Sequence, residues 1–194
     1  MLFILADNSR CQTYSENKIY LVGRGTLSKK KLIGDGFNLK NNNLTHIGIG
    51  VFDNNEMMIY NVSVNKSENG SSLIIENLDD FIDINDIFYL GIWYYECNKK
   101  QFQEFKSILN NYKMRKIHFD KKFEVKNDNE LYCSEFVIEV LNKTNIFNFK
   151  PYKKNLKKII KEFLNIDKLT YYPVDLFLTN NKIKQLYVQE IKKN

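Results

Sequence analysis

The sequence predicts an α+β domain in which helices pack against a largely antiparallel sheet. Two kinds of segment carry that expectation. Apolar runs rich in β-branched and aromatic residues recur over 17–22, 44–52, 57–64 and 87–95, each bounded by polar residues. Elsewhere the apolar residues return every three or four positions: Phe102, Phe105, Leu109 and Tyr112 form one such set, and Phe136, Val137, Val140 and Leu141 another. The polar residues Asp53 to Glu56 join two of the runs as a short turn, which makes that pair antiparallel.

Length and composition bound the reading. A chain of 194 residues is long enough to hold one domain over 1–194 with a substantial core. With 43% hydrophobic and 27% charged residues it is globular rather than disordered. Cys11, Cys97 and Cys133 are an odd number without metal-type spacing, which argues against a disulfide framework and a structural zinc site. The run Met1 to Ala6 lacks a basic leader and is too short for a membrane span, so it reads as a first strand. That reading fits a cytoplasmic chain or a processed exported one. The net charge of +6 is not organised into any nucleic-acid-binding module.

In chain order, 17–22 reads as a strand followed by a turn at Gly23-Arg24-Gly25. Residues 28–43 are polar, with Lys29, Lys30 and Lys31 in a row, and read as a helix turn plus a loop leading to His46. Over 46–51 the alternation puts Ile47, Ile49 and Val51 on one face and His46, Gly48 and Gly50 on the other. The glycines leave room beside the histidine for another backbone or a ligand. The return strand follows over 57–64. Asp79, Asp80, Asp83 and Asp86 lack the glycine and final glutamate of a calcium loop and read as an acidic run opening a helix. A strand over 87–95 contains Trp93, and Asn98 caps a helix running to Tyr112. Residues 150–164 hold six lysines among Leu156, Ile159, Ile160, Phe163 and Leu164, the pattern of a basic amphipathic helix. Such a helix suits either an anionic membrane surface or a solvated face packed on the body. A last strand covers 183–191.

The chemistry centres on Leu131-Tyr132-Cys133-Ser134-Glu135-Phe136-Val137. Cys133 falls in or just before the first turn of a helix, where free backbone N–H groups and the helix dipole favour a thiolate. The expectation is a thiol of lowered pKa, alkylated near pH 6. The same position also suits a small buried hydrophobe. His46 is the candidate base for a cysteine–histidine pair, and His118 is its competitor, rated behind it.

Four pieces of the chain together resemble a known family. They are Gly23-Arg24-Gly25-Thr26-Leu27-Ser28, Thr45-His46-Ile47-Gly48-Ile49, Leu131-Tyr132-Cys133-Ser134-Glu135-Phe136 and Tyr172-Pro173-Val174-Asp175-Leu176. In this order they resemble the YiiX/YebB-like group of circularly permuted papain-like cysteine hydrolases, within the NlpC-type cell-wall peptidase superfamily. The resemblance implies a permuted papain-like fold, histidine before cysteine. It implies an amidase or peptidase that forms a thioester on Cys133, with His46 as base and no metal or organic cofactor. The family carries a third polar residue, often glutamate, on the strand after the histidine; this sequence has Asn61 there. Peptide, peptidoglycan-like or lipid-linked substrates follow, and the basic 150–164 pattern adds the expectation of peripheral contact with an anionic membrane surface. The permuted order is also similar to lipid acyltransferases and phospholipases with a papain-like core, and a third reading is a non-catalytic lipid- or peptide-binding module with Cys133 idle.

Overall fold

Strand β1 (Lys18–Thr26) pairs on both sides, and the sheet grows outward from it. One neighbour is β2 (His46–Asp53), continued by β3 (Glu56–Val62) and β4 (Leu73–Asn77). The other is β5 (Ile87–Glu96), followed by the edge strand β10 (Lys184–Glu190). The order β10-β5-β1-β2-β3-β4 is antiparallel throughout. This computed structural model describes residues 17–53, 56–65, 67, 70–125, 129–156, 161–162 and 166–191. The expected strand over 1–6 and Cys11 lie outside them, as do Lys157 and Lys158.

Alternation along the strands sends two apolar sets to opposite faces. Ile19, Leu21, Ile47, Ile49 and Trp93 meet Phe105 and Leu109 of α4 (Lys99–Lys113) and Phe136 and Val137 of α5 (Cys133–Lys143). Tyr20, Val22, Ile59, Leu90 and Ile92 pack instead with Phe81 of the short helix α3 (Leu78–Ile82). Each fully buried Leu, Ile or Phe contributes about 1.5–3 kcal/mol, so both faces stabilise the sheet. The helices start as their sequences dictate. The Asn98 side chain accepts the Gln101 N–H at 2.9 Å, and the Gln101 side chain accepts the Asn98 N–H at 3.0 Å, a reciprocal cap on α4. Asn77 does half of this for α3, accepting the Asp80 N–H.

Three sequence expectations are corrected. Gly23-Arg24-Gly25 is not a turn but the end of β1, because both β2 and β5 pair with it. Its glycines serve close approach: a Cβ on Gly25 would stand 2.0 Å from the Asn43 carbonyl oxygen. The polar segment after β1 is more helical than expected, with α1 (Leu27–Lys29), a π turn over Lys30–Gly34 and α2 (Asp35–Phe37). The basic amphipathic helix over 150–164 fails at its start, where Tyr152–Asn155 forms β8 against β9 (Lys168–Tyr171). The side chains of Tyr152–Asn155 are exposed and offer no apolar stripe to pack, so the backbone takes a ladder partner instead. Of its lysines, Lys154 donates to the Gly36 carbonyl and Lys161 pairs with Asp167 at 3.0 Å. The last strand forms as expected, after a 3₁₀ turn over Leu176–Thr179.

Long-range hydrogen bonds tie the pieces together. Asp175 is completely buried, and its carboxylate accepts the backbone N–H groups of Leu39, Lys40 and Asn41. This clamps the segment before β2 to the chain that follows Pro173. Asp175→Ala leaves three amides without an acceptor and is expected to cost about 2–3 kcal/mol, since bonds to charged groups are the stronger kind. Asp175→Asn retains one acceptor oxygen and should cost less. Urea unfolding of the three proteins checks the order.

Candidate active site

His46 opens β2, and Asn61 lies near the end of β3 on the same face of the sheet. Gly48 stands between them, and a Cβ there would meet Asn61 Cβ at 3.0 Å and Ile59 Cγ2 at 2.7 Å. Its absence lets the imidazole reach across: His46 Nε2 and Asn61 Oδ1 are 2.9 Å apart. The Asn61 Nδ2 group donates to Glu76 Oε1 on β4 at 2.7 Å. With its amide hydrogens turned to Glu76, Asn61 presents oxygen to the histidine. His46 therefore carries its proton on Nε2 and keeps a lone pair on Nδ1, the tautomer of a general base.

Both residues are buried, His46 at 6% exposure and Asn61 at 0%. Burial pushes the imidazole well below its ordinary pKa, and the Arg24 and Lys29 cations push the same way; the Asn61 hydrogen bond opposes them without prevailing. Arg24 pairs with His46 across β1 and β2. Its guanidinium lies 4.2 Å from the Phe81 ring centroid and donates to the Phe81 carbonyl. His46 is neutral in this environment.

Cys133 is the first residue of α5, reached from β7 (Glu130–Leu131) through Tyr132. No side chain caps this helix in the usual forward sense. It is anchored by the flanking motif residues instead. The Tyr132 hydroxyl accepts the Tyr172 N–H at 2.7 Å, and the Ser134 hydroxyl donates to the Tyr172 carbonyl at 2.7 Å. The Glu135 carboxyl reaches back to the Tyr132 N–H, the return half of a capping box. The paired register of β2 and β3 stops at Ile49 and Tyr60, and the Ile47 N–H beyond it hydrogen-bonds to Cys133. The sulfur thus rests against the backbone of the residue that follows His46.

The expectation of a lowered thiol pKa is corrected. Cys133 is 8% exposed, and burial pushes its thiol up. The N–H groups of Ile47 and Ser134 and the cations Lys29 and Arg24 pull it down but do not prevail. A helix start lowers a thiol pKa only while water or a partner charge shares the burden, and depth in the fold is not visible from spacing. Burial thus keeps the Cys133 thiol and the His46 imidazole each in the neutral form at rest.

The structure brings His46 and Asn61 into direct contact and lays Cys133 against Ile47. His118 is exposed on β6 (His118–Phe119), where its register partner is Glu130. Cys97 donates to the Asn17 carbonyl at 3.1 Å, and burial pushes its thiol up. Arg24 stands in the first motif without a role, and two residues that act on these groups, Lys29 and Glu76, escaped the sequence reading as site residues. Glu76 had a visible signal, a carboxylate directly after the apolar run Leu73-Ile74-Ile75.

No family model matches the chain, and no curated protein matches it. Among solved structures it is similar to the metalloprotein YiiX from Escherichia coli O157:H7. The TM-score is 0.67 at 13% identity, over 92% of this chain and 100% of that one. The α+β fold is that of YiiX, in agreement with the resemblance carried by the four motifs.

Glu135, two residues after Cys133, generates a pH prediction. It is 1% exposed, and burial, with Glu139 and Asp120 nearby, raises its carboxyl from 4.5 to about 9. Below about pH 4.5 both folded and unfolded states are protonated, and the group contributes nothing to pH dependence. From there to about pH 9 the unfolded state ionises while the folded state keeps its proton, so stability falls as pH rises. Glu135→Gln keeps an acceptor for Tyr132 and removes the titration. Its advantage over wild type should grow with pH and reach about 3 kcal/mol near neutrality. Denaturant midpoints at pH 5 and pH 8 check this.

Proposed function

We propose that the chain is a papain-like cysteine hydrolase of the permuted type, an amidase or peptidase that cleaves an amide bond through a thioester on Cys133. The observation that carries this reading is the buried His46–Asn61 hydrogen bond at 2.9 Å, one residue before Ile47, whose backbone N–H acts on the Cys133 thiol. In this scheme His46 Nδ1 takes the thiol proton as the sulfur attacks the carbonyl carbon. The carbonyl oxygen becomes an oxyanion facing the Cys133 backbone N–H at the helix start. Collapse of the intermediate breaks the C–N bond, and the imidazolium returns the proton to the leaving amine. Water then attacks the thioester with His46 again as base, releasing the acid and the thiol. Asn61 holds the imidazole orientation throughout.

The cations fit this course. Arg24 and Lys29 disfavour a standing imidazolium, yet they favour the negative charge that forms on sulfur and oxygen during attack. The substrates that suit the family resemblance are peptide, peptidoglycan-like or lipid-linked amides, with the basic surface of the protein toward an anionic membrane. Among the described residues no three His, Cys, Asp or Glu side chains converge as a metal site requires.

Acylation of Cys133 tests the proposal. With a panel of peptide p-nitroanilides and matching p-nitrophenyl esters, wild-type protein should gain the acyl mass on Cys133 as chromophore is released. Cys133→Ala should gain none. His46→Ala should slow acylation by about 100-fold or more, the scale of a lost general base, while His118→Ala leaves the rate unchanged. A neutral thiol–imidazole pair also sets the pH profile: the acylation rate should be level from about pH 6.5 to about pH 8.5. Absence of any adduct across the panel, or an adduct that forms at the same rate without His46, overturns the hydrolase reading in favour of a binding module.

A further inference from the structure

The hydrogen-bonded chain does not end at Asn61. We infer that Glu76 is a positioning residue for this site: its carboxylate holds the Asn61 amide in the one orientation that leaves His46 Nδ1 free to act as base. This rests on the cysteine hydrolase reading above.

An asparagine amide has nearly the same shape in its two flipped forms, and packing alone barely distinguishes them. In one form it offers oxygen to the imidazole Nε2. In the other it offers its NH₂ group, and the histidine must accept at Nε2 and carry its proton on Nδ1. The second arrangement puts a hydrogen, not a lone pair, where the base is needed. Asn61 is completely buried, so bulk water does not decide between the two. Glu76 does. An ionised carboxylate only accepts hydrogen bonds, so at 2.7 Å it takes the Nδ2 group and turns Oδ1 toward His46.

The sheet register creates this contact. Asn61 pairs with Ile74 and Glu76 pairs with Ile59, which makes Asn61 and Glu76 diagonal neighbours on β3 and β4. The Glu76 charge also acts on Arg24, which stands beside His46 across β1 and β2. One carboxylate thereby meets both groups that condition the imidazole, one by hydrogen bond and one by charge. Asparagine in place of a third acidic residue is workable here because the acid is one strand further out.

Two readouts test the role, and only one depends on turnover. The first is ¹⁵N NMR of the His46 ring in resting protein. Wild type should show the Nε2–H tautomer, and Glu76→Ala and Glu76→Leu should shift the population toward Nδ1–H. Glu76→Gln, which retains an acceptor oxygen, should stay as wild type. The second is acylation kinetics. Glu76→Ala should lower the rate constant for acylation at least ~10-fold with KM little changed, a milder form of the loss seen when a catalytic histidine is left in the wrong tautomer. Asn61→Asp alone sets two carboxylates against each other and should also be slow. Combined with Glu76→Ala it should recover to within a few-fold of wild type, because an aspartate has acceptors on both oxygens and needs no orienting. A purely structural glutamate does not produce that reciprocal rescue. An Nε2–H tautomer retained in both Glu76→Ala and Glu76→Leu, or a double variant no faster than Asn61→Asp, overturns the inference. If the protein never acylates, the hydrolase reading fails on its own, while the NMR result still decides what Glu76 does.

Discussion

The arrangement depends on how the first turn of α5 is held. A helix start buried in a fold exposes N–H groups that must find partners, and here no forward cap supplies them. The Glu135 carboxyl meets the Tyr132 N–H, while the Tyr132 and Ser134 side chains fasten the turn to the backbone of Tyr172 instead. Cys133 is the member of the four-residue motif left over from anchoring. Its sulfur faces the Ile47 N–H because its neighbours point elsewhere. The motif is therefore mostly a mounting, and its specificity in sequence reflects the number of groups that must be satisfied at once.

Burial then sets the electrostatics. Two titratable groups are placed where neither gains by ionising alone: the imidazole is pushed down and the thiol up. Positive charge from Arg24 and Lys29 sharpens the asymmetry, opposing a cation on His46 and favouring an anion on Cys133. Such a pair is quiet at rest. Under the proposed hydrolase reading, its charge separation is made during reaction, where oriented N–H groups and nearby cations do most for it.

Much of this was legible in the sequence, for reasons that also explain the rest. The face alternation of β2 and the helix spacing of α4 and α5 are local patterns, and local patterns translate directly into buried faces. Residues 152–155 misled because lysines and apolar residues at helical intervals look alike whether or not a β partner waits at 168–171. Gly23 and Gly25 looked like a turn because glycine marks close approach as readily as reversal. The role of Glu76 follows from a diagonal across two strands, which spacing along the chain does not reveal. The sign of the Cys133 shift depended on depth in the fold, a property of the whole rather than of the motif.

The Asp175 clamp has a consequence in time. His46, Asn61 and Glu76 are joined by contacts spanning 15 residues each, and that half of the site closes early. The segment that holds the nucleophile helix is more distant: Tyr172 lies 38 and 40 residues past its partners, and Asp175 reaches back 136 to Leu39. Pairings of such separation form late, because loop closure must precede their reward. In a chain emerging from the ribosome N-terminus first, histidine and cysteine are both present before the residues that fasten them together. The order of synthesis thus leaves the Cys133 helix unfastened until the fold is nearly complete.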